Sequence, residues 1–146
     1  MRLWAPALFF SLAIASCFAL PSQPSVEDLK ARLQNARPEE KGVIALQIAE
    51  RQVAASDKLF SSGKVDEAQA AVMDVVTYAG QAGESAGQTG RHIKNTEISL
   101  RKMAHRLADI KRTVAYDDQP PIQSAIDSLE KTRTDLLNKM FGKNSK

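Results

Sequence analysis

Apolar and small residues recur through the middle of the chain at alternating steps of three and four. The series runs Val65, Ala68, Val72, Val75, Ala79, Ala82, Ala86, Thr89, Ile93, Thr96, Leu100, Met103, Leu107, Ile110, Val114. Side chains three and four apart share one face of a helix, so this heptad stripe predicts a long helix that buries itself against neighbours. At about 1.5 Å rise per residue such a helix would reach about 75 Å. Within it, Ala79-Gly80, Ala82-Gly83, Ala86-Gly87 and Thr89-Gly90 repeat small pairs. Each glycine costs about 1 kcal/mol against alanine in a helix interior. The pairs keep the three-four rhythm without an intervening proline, which favours a helix with a close-contact seam. A hinge or loop joining two helices is the alternative.

The flanking segments carry shorter helical patterns. Ser25-Val26-Glu27-Asp28 reads as a capping box that opens a short helix to about Ala36, with Val26, Leu29 and Leu33 on one side. Pro38 starts the next helix, whose apolar face is wide: Leu46, Ala49, Val53, Ser56 and Phe60 beside Ile44, Ile48, Ala55 and Leu59. Ser61-Ser62-Gly63-Lys64 ends it, with Gly63 suited to the left-handed residue after a helix. A turn this short makes the two helices antiparallel. Tyr116-Asp117-Asp118-Gln119-Pro120-Pro121 forms a second turn. The last helix carries Ile122, Ile126, Leu129, Leu136 and Met140, with Asp127 and Lys131, and Asp135 and Lys139, spaced as supporting pairs. The expected fold is therefore all-α: an elongated antiparallel helical bundle, with one long central heptad-patterned helix and shorter helices folding back on it.

The run Leu59-Phe60-Ser61-Ser62-Gly63-Lys64-Val65-Asp66-Glu67-Ala68 resembles the turn of a tetratricopeptide repeat. The resemblance covers one turn, and no second copy follows at the ~34-residue period such arrays require. It is read as an ordinary helical hairpin.

Ahead of the helices, Arg2 is followed by an apolar run from Leu3 to Leu20 with small residues near its end, the pattern of a signal peptide over residues 1–19. Cleavage after Ala19 is favoured, and cleavage after Ala15 is the alternative. Residues 20–25 form a short spacer, 26–141 the bundle domain and 142–146 a basic flexible tail. Ile14-Ala15-Ser16-Cys17 resembles the bacterial lipoprotein signal, which makes Cys17 the candidate lipidation site and membrane tether. An uncleaved anchor is the third reading, although the run is short for a span and contains Pro6.

Composition narrows the picture. Cys17 is the single cysteine, so a chain cleaved after Ala19 has no disulfides and must be held by packing. What remains is large enough for one continuous core. Outside the leader the aromatics are Phe60, Tyr78, Tyr116 and Phe141 alone, so aliphatic side chains do the packing. Charge is uneven: Val26 to Glu84 holds ten acids against seven Lys or Arg, and Ser85 to Lys146 seven acids against twelve.

Candidate chemistry is sparse. His92 and His105, thirteen residues apart on one helix, would lie about 20 Å apart and share no metal. Asp66-Glu67, Glu39-Glu40 and Asp117-Asp118 sit at helix starts and turns, where capping accounts for them. No catalytic, cofactor-binding or metal-binding residues are expected, and the protein is not expected to be an enzyme. The strongest feature is basic: Arg91, Lys94, Arg101, Lys102, Arg106, Lys111 and Arg112 fall within twenty-two residues, opposed there by Glu97 and Asp109. They form a candidate face for an anionic partner, either a protein or an envelope component. The competing reading is a solvated face paired with Asp127, Glu130 and Asp135 of the returning helix. Nucleic acid is not expected, because no aromatics interleave with the cluster. The function expected is non-enzymatic binding or scaffolding by a secreted, periplasmic or lipid-anchored protein. A chaperone-like protein that shields unfolded clients is the alternative. The heptad stripe also suits a homo-oligomer.

Overall fold

The computed structural model describes residues 23–142. The signal peptide, Cys17, residues 20–22 of the spacer and residues 143–146 of the tail lie outside the described residues. Among the described residues five helices follow one another: α1 (Val26–Asn35), α2 (Pro38–Ser61), α3 (Val65–Thr89), α4 (Ile93–Thr113) and α5 (Gln119–Phe141). One 3-10 turn, Tyr116–Asp118, precedes α5. The described residues form an all-α bundle.

Local signals account for most of the boundaries. The Ser25 hydroxyl accepts from the Asp28 amide and the Asp28 carboxylate accepts from the Ser25 amide, both at 3.1 Å, completing the capping box of α1. At the end of α2, Lys64 N–H donates to Leu59 and Gly63 N–H to Phe60, with Gly63 at φ 76°. Those two bonds are the Schellman pair that terminates a helix. Pro38, and Pro120 with Pro121, occupy the first turns of α2 and α5, where a missing N–H leaves no helical bond unmade.

The single long helix predicted over Val65–Val114 is instead two helices, and this changes the topology. α3 ends at Gly90, which adopts φ 69°, and His92 follows at φ 58° before α4 begins. Two left-handed residues in three turn the chain back on itself. Antiparallel and parallel neighbours can then be read from cross-contacts. Gln52 on α2 donates to Asp74 on α3 at 2.6 Å, and Gly42 faces Ser85, so α2 and α3 run antiparallel. Lys111 donates to Gln123 and Arg133 to Glu97, both at 2.6 Å, so α4 and α5 do the same. Gln69 reaches Asp118 near the starts of α3 and α5, and Gly83 and Gly87 face Thr132 and Lys139 farther along, so those two are parallel. Asp57 of α2 pairs with Arg106 of α4, placing these side by side. Two hairpins, α2–α3 and α4–α5, therefore stack into an up-down-up-down bundle. The central element of the expected fold is absent from it, because the chain reverses there.

The small-residue seam does exist within α3. A Cβ at Gly83 would collide with the Thr132 methyl, and one at Gly87 with the Lys139 side chain. Small residues there let α5 approach α3 closely. Nothing surrounds Gly80 that explains its lack of a side chain.

The core is aliphatic, as composition requires. Val53, Val72, Val75, Leu100, Leu107, Ile110, Ile122, Leu129 and Leu136 form its larger part. Leu29 of α1 joins Ile44 and Ile48 in a second cluster under α1. α1 is further held by Lys30, which bonds Asp74 at 2.7 Å and lies 5.5 Å above the Tyr78 ring. The Asp74 carboxylate raises the Lys30 ammonium above its ordinary pKa.

Candidate functional site

α4 is amphipathic, and its burial pattern fixes which way each charge points. Leu100, Met103, Leu107 and Ile110 are buried, so positions a half-turn away face solvent. Lys94, Arg101, His105 and Arg112 stand on that outward line, with Lys102 beside them toward α2; all five are exposed. Arg91 lies in the turn before the helix and is also exposed.

The seven basic residues divide by their partners. Arg106 pairs with Asp57 across the α2–α4 seam. Arg112 pairs with Asp109 of its own helix at 3.2 Å. Lys111 is half-buried and donates to Gln123 of α5. Arg91, Lys94, Arg101 and Lys102 have no carboxylate within 4 Å among the described residues. The acids of α5 do not neutralise them. Glu130 bonds Arg133 at 3.1 Å, and Asp127 accepts from Gln123 at 2.8 Å. The i,i+4 pairing expected of Asp127 with Lys131 is therefore replaced by an amide contact, since Gln123 lies one turn earlier on the same face. What is left on α4 is a strip of uncompensated positive charge open to water.

A second feature was not read from the sequence. Between α2 and α4 runs a groove of about 310 Å³, floored by Ala82 and Ala86 of α3 and walled by Val43 and Leu46 of α2. Ser85, Asn95, Thr96 and Ser99 contribute the neutral polar groups of its lining. Glu39 and Glu50 stand on the α2 rim, and Arg91 and His92 at the α4 end. A further hollow of about 360 Å³ continues past Glu50 and Ser99 toward Met103 and the Asp57–Arg106 pair. The sequence signal was the pair Thr89 and Thr96, hydroxyls at a heptad position otherwise filled by apolar side chains, and both line the groove.

Among the described residues no three His, Cys, Asp or Glu side chains converge as metal ligands, and no helix is long and apolar enough to cross a membrane. No family model, curated protein or solved structure matches this chain. The class that can be stated is an all-α bundle of two stacked hairpins.

Proposed function

We propose that this is a non-enzymatic, secreted or envelope-associated binding protein that holds an anionic partner against the outer face of α4. The observation that carries the reading is the set Arg91, Lys94, Arg101 and Lys102, exposed and without ion-pair partners among the described residues. Uncompensated cations of one sign along a rigid helix attract and orient an anionic surface, with a strength that falls as salt screens them. Arg106 and Arg112, already paired, contribute less than their place in the sequence implies. The partner class is an acidic protein or an anionic envelope component, and the leader pattern supports export to the place where such partners occur.

The test compares the wild-type chain with the triple variant Lys94→Glu, Arg101→Glu, Lys102→Glu. Both are assayed for retention on immobilised polyglutamate and for sedimentation with phosphatidylglycerol vesicles, at low salt and at ~0.15 M. Salt-sensitive binding that the triple variant loses supports the reading. A wild-type chain that binds neither probe at low salt, or a variant that binds equally well, overturns it.

A further inference from the structure

Most hydroxyl side chains on the described helices close a local bond that four polar side chains of the α2–α4 groove leave open. Ser56, Thr77, Thr89, Thr113, Ser128, Thr132 and Thr134 each donate to a carbonyl of their own helix one turn back. This is the common way a helix satisfies such groups. Ser85, Asn95, Thr96 and Ser99 make no side-chain hydrogen bond among the described residues, and all four line the same groove. Thr96 is the sharpest case, because it is only 3 % exposed. No buried side-chain oxygen among the described residues is both fully shielded from solvent and without a partner. The remaining exposure of Thr96 therefore faces the groove. A hydroxyl this buried gains free energy when it finds a partner.

We propose that this groove is a binding site for a small, uncharged, amphipathic organic molecule. Its volume lies at the small end of the about 300–1,000 Å³ typical of ligand pockets. Val43, Leu46, Ala82 and Ala86 supply an apolar wall, and Thr96 with Ser99 supplies donors and acceptors along the opposite side. Charged groups of both signs stand at its rim: Glu39 and Glu50 on α2, and Arg91 in the turn before α4. A net anion would meet the two carboxylates, and a net cation the guanidinium, so an uncharged body fits best. This site shares Arg91 with the proposed anionic face, but the rest of its lining lies apart from Lys94, Arg101 and Lys102.

A matched pair of fluorescent probes tests it. N-phenyl-1-naphthylamine is uncharged and carries one N–H, and 8-anilinonaphthalene-1-sulfonate is the same ring system with an anion added. The full chain is expected to bind the uncharged probe at one saturable site, and more tightly than the sulfonate. Ser99→Phe fills the groove where it meets the further hollow and should abolish that binding. Thr96→Val keeps the shape and removes the hydroxyl. It should weaken binding by about three- to tenfold without lowering the thermal midpoint of the free protein. Lys94→Glu, Arg101→Glu, Lys102→Glu should bind the probe as wild type does, which separates this site from the α4 face. Tighter binding of the sulfonate, or no saturable binding of the uncharged probe, overturns the proposal. If Ser99→Phe fails to fold, Thr96→Val decides: unchanged affinity there overturns it as well.

Discussion

Arg133 of α5 reaches across to Glu97 of α4, Nε to Oε1 at 2.6 Å, and holds a carboxylate that is only 9 % exposed in the bundle wall. The same guanidinium bonds Glu130 at 3.1 Å, and the two carboxylates raise it above its ordinary pKa. A buried carboxylate that loses its cation is worse off than one replaced together with it. Arg133→Met should therefore lower the urea midpoint more than the double variant Glu97→Met, Arg133→Met does. A double variant at or below the single one would mean that the pair contributes more than the removal of a stranded charge. Equilibrium unfolding of the four corners of this cycle measures the difference.

Three glycines of α3 that look alike in sequence should respond differently to alanine. Gly80→Ala places its methyl in open space and should stabilise by about 0.5–1 kcal/mol, through helix propensity. At Gly83 the new Cβ meets the methyl of a β-branched threonine that cannot swing away, so Gly83→Ala should destabilise by about 1–3 kcal/mol. Gly87→Ala meets the flexible end of Lys139 and should come out near neutral. Thermal melts of the three variants give the order directly.

The reversal between α3 and α4 places one ordinary residue in a left-handed conformation. His92→Gly relieves that and should raise stability by about 1 kcal/mol. Gly90→Ala imposes the same strain at the neighbouring left-handed position and should lower stability by a similar amount. If both variants melt as wild type does, the chain does not reverse at this turn.

Ser25→Ala removes the cap of α1 and should cost about 1 kcal/mol at neutral pH. The loss should depend on acidity. Hydrogen bonds from Ser25 hold the Asp28 carboxyl below its ordinary 3.8, so folding favours the ionised form. That contribution is present in full above the ordinary value and is lost as pH falls through the lower, folded one. The gap between wild type and Ser25→Ala should accordingly narrow in acid below about pH 4, as measured by urea midpoints along a pH series.

Most of the helices were legible in the sequence, because capping boxes, prolines and a Schellman glycine act locally and leave local marks. Ser25, Pro38, Gly63 and Pro120 each stand where a boundary falls. The reversal at Gly90 was hidden for a geometric reason. The turn Gly90-Arg91-His92 contains three residues, close to one helical turn, so Thr89 to Ile93 keeps the same step and the stripe runs on in phase. Two antiparallel helices that each bury one face then read as one. Gly90 carried a stop signal, but it sat last in a series whose other members lie inside the helix.

The basic cluster was legible as composition but not as a site. Its members at Arg106, Lys111 and Arg112 look in sequence like Arg101 and Lys102, and only the fold shows that Asp57, Gln123 and Asp109 engage them. The groove was less legible still. It depends on which faces of α2 and α4 meet, and that follows from the reversal the pattern concealed.

The shortness of the turns governs the order in which the bundle assembles. α2 joins α3, and α3 joins α4, through three residues each. Closing loops of this size loses little chain entropy, so neighbouring helices can pair as soon as both are made. Contacts between helices adjacent in sequence also keep the contact order low, which places folding in the microsecond-to-millisecond range of helical bundles. We expect the slow step to be the meeting of the two hairpins along α3 and α5, which stopped-flow refolding would measure. Gly83 lies at that meeting, so an alanine there should retard folding as well as weaken the folded state.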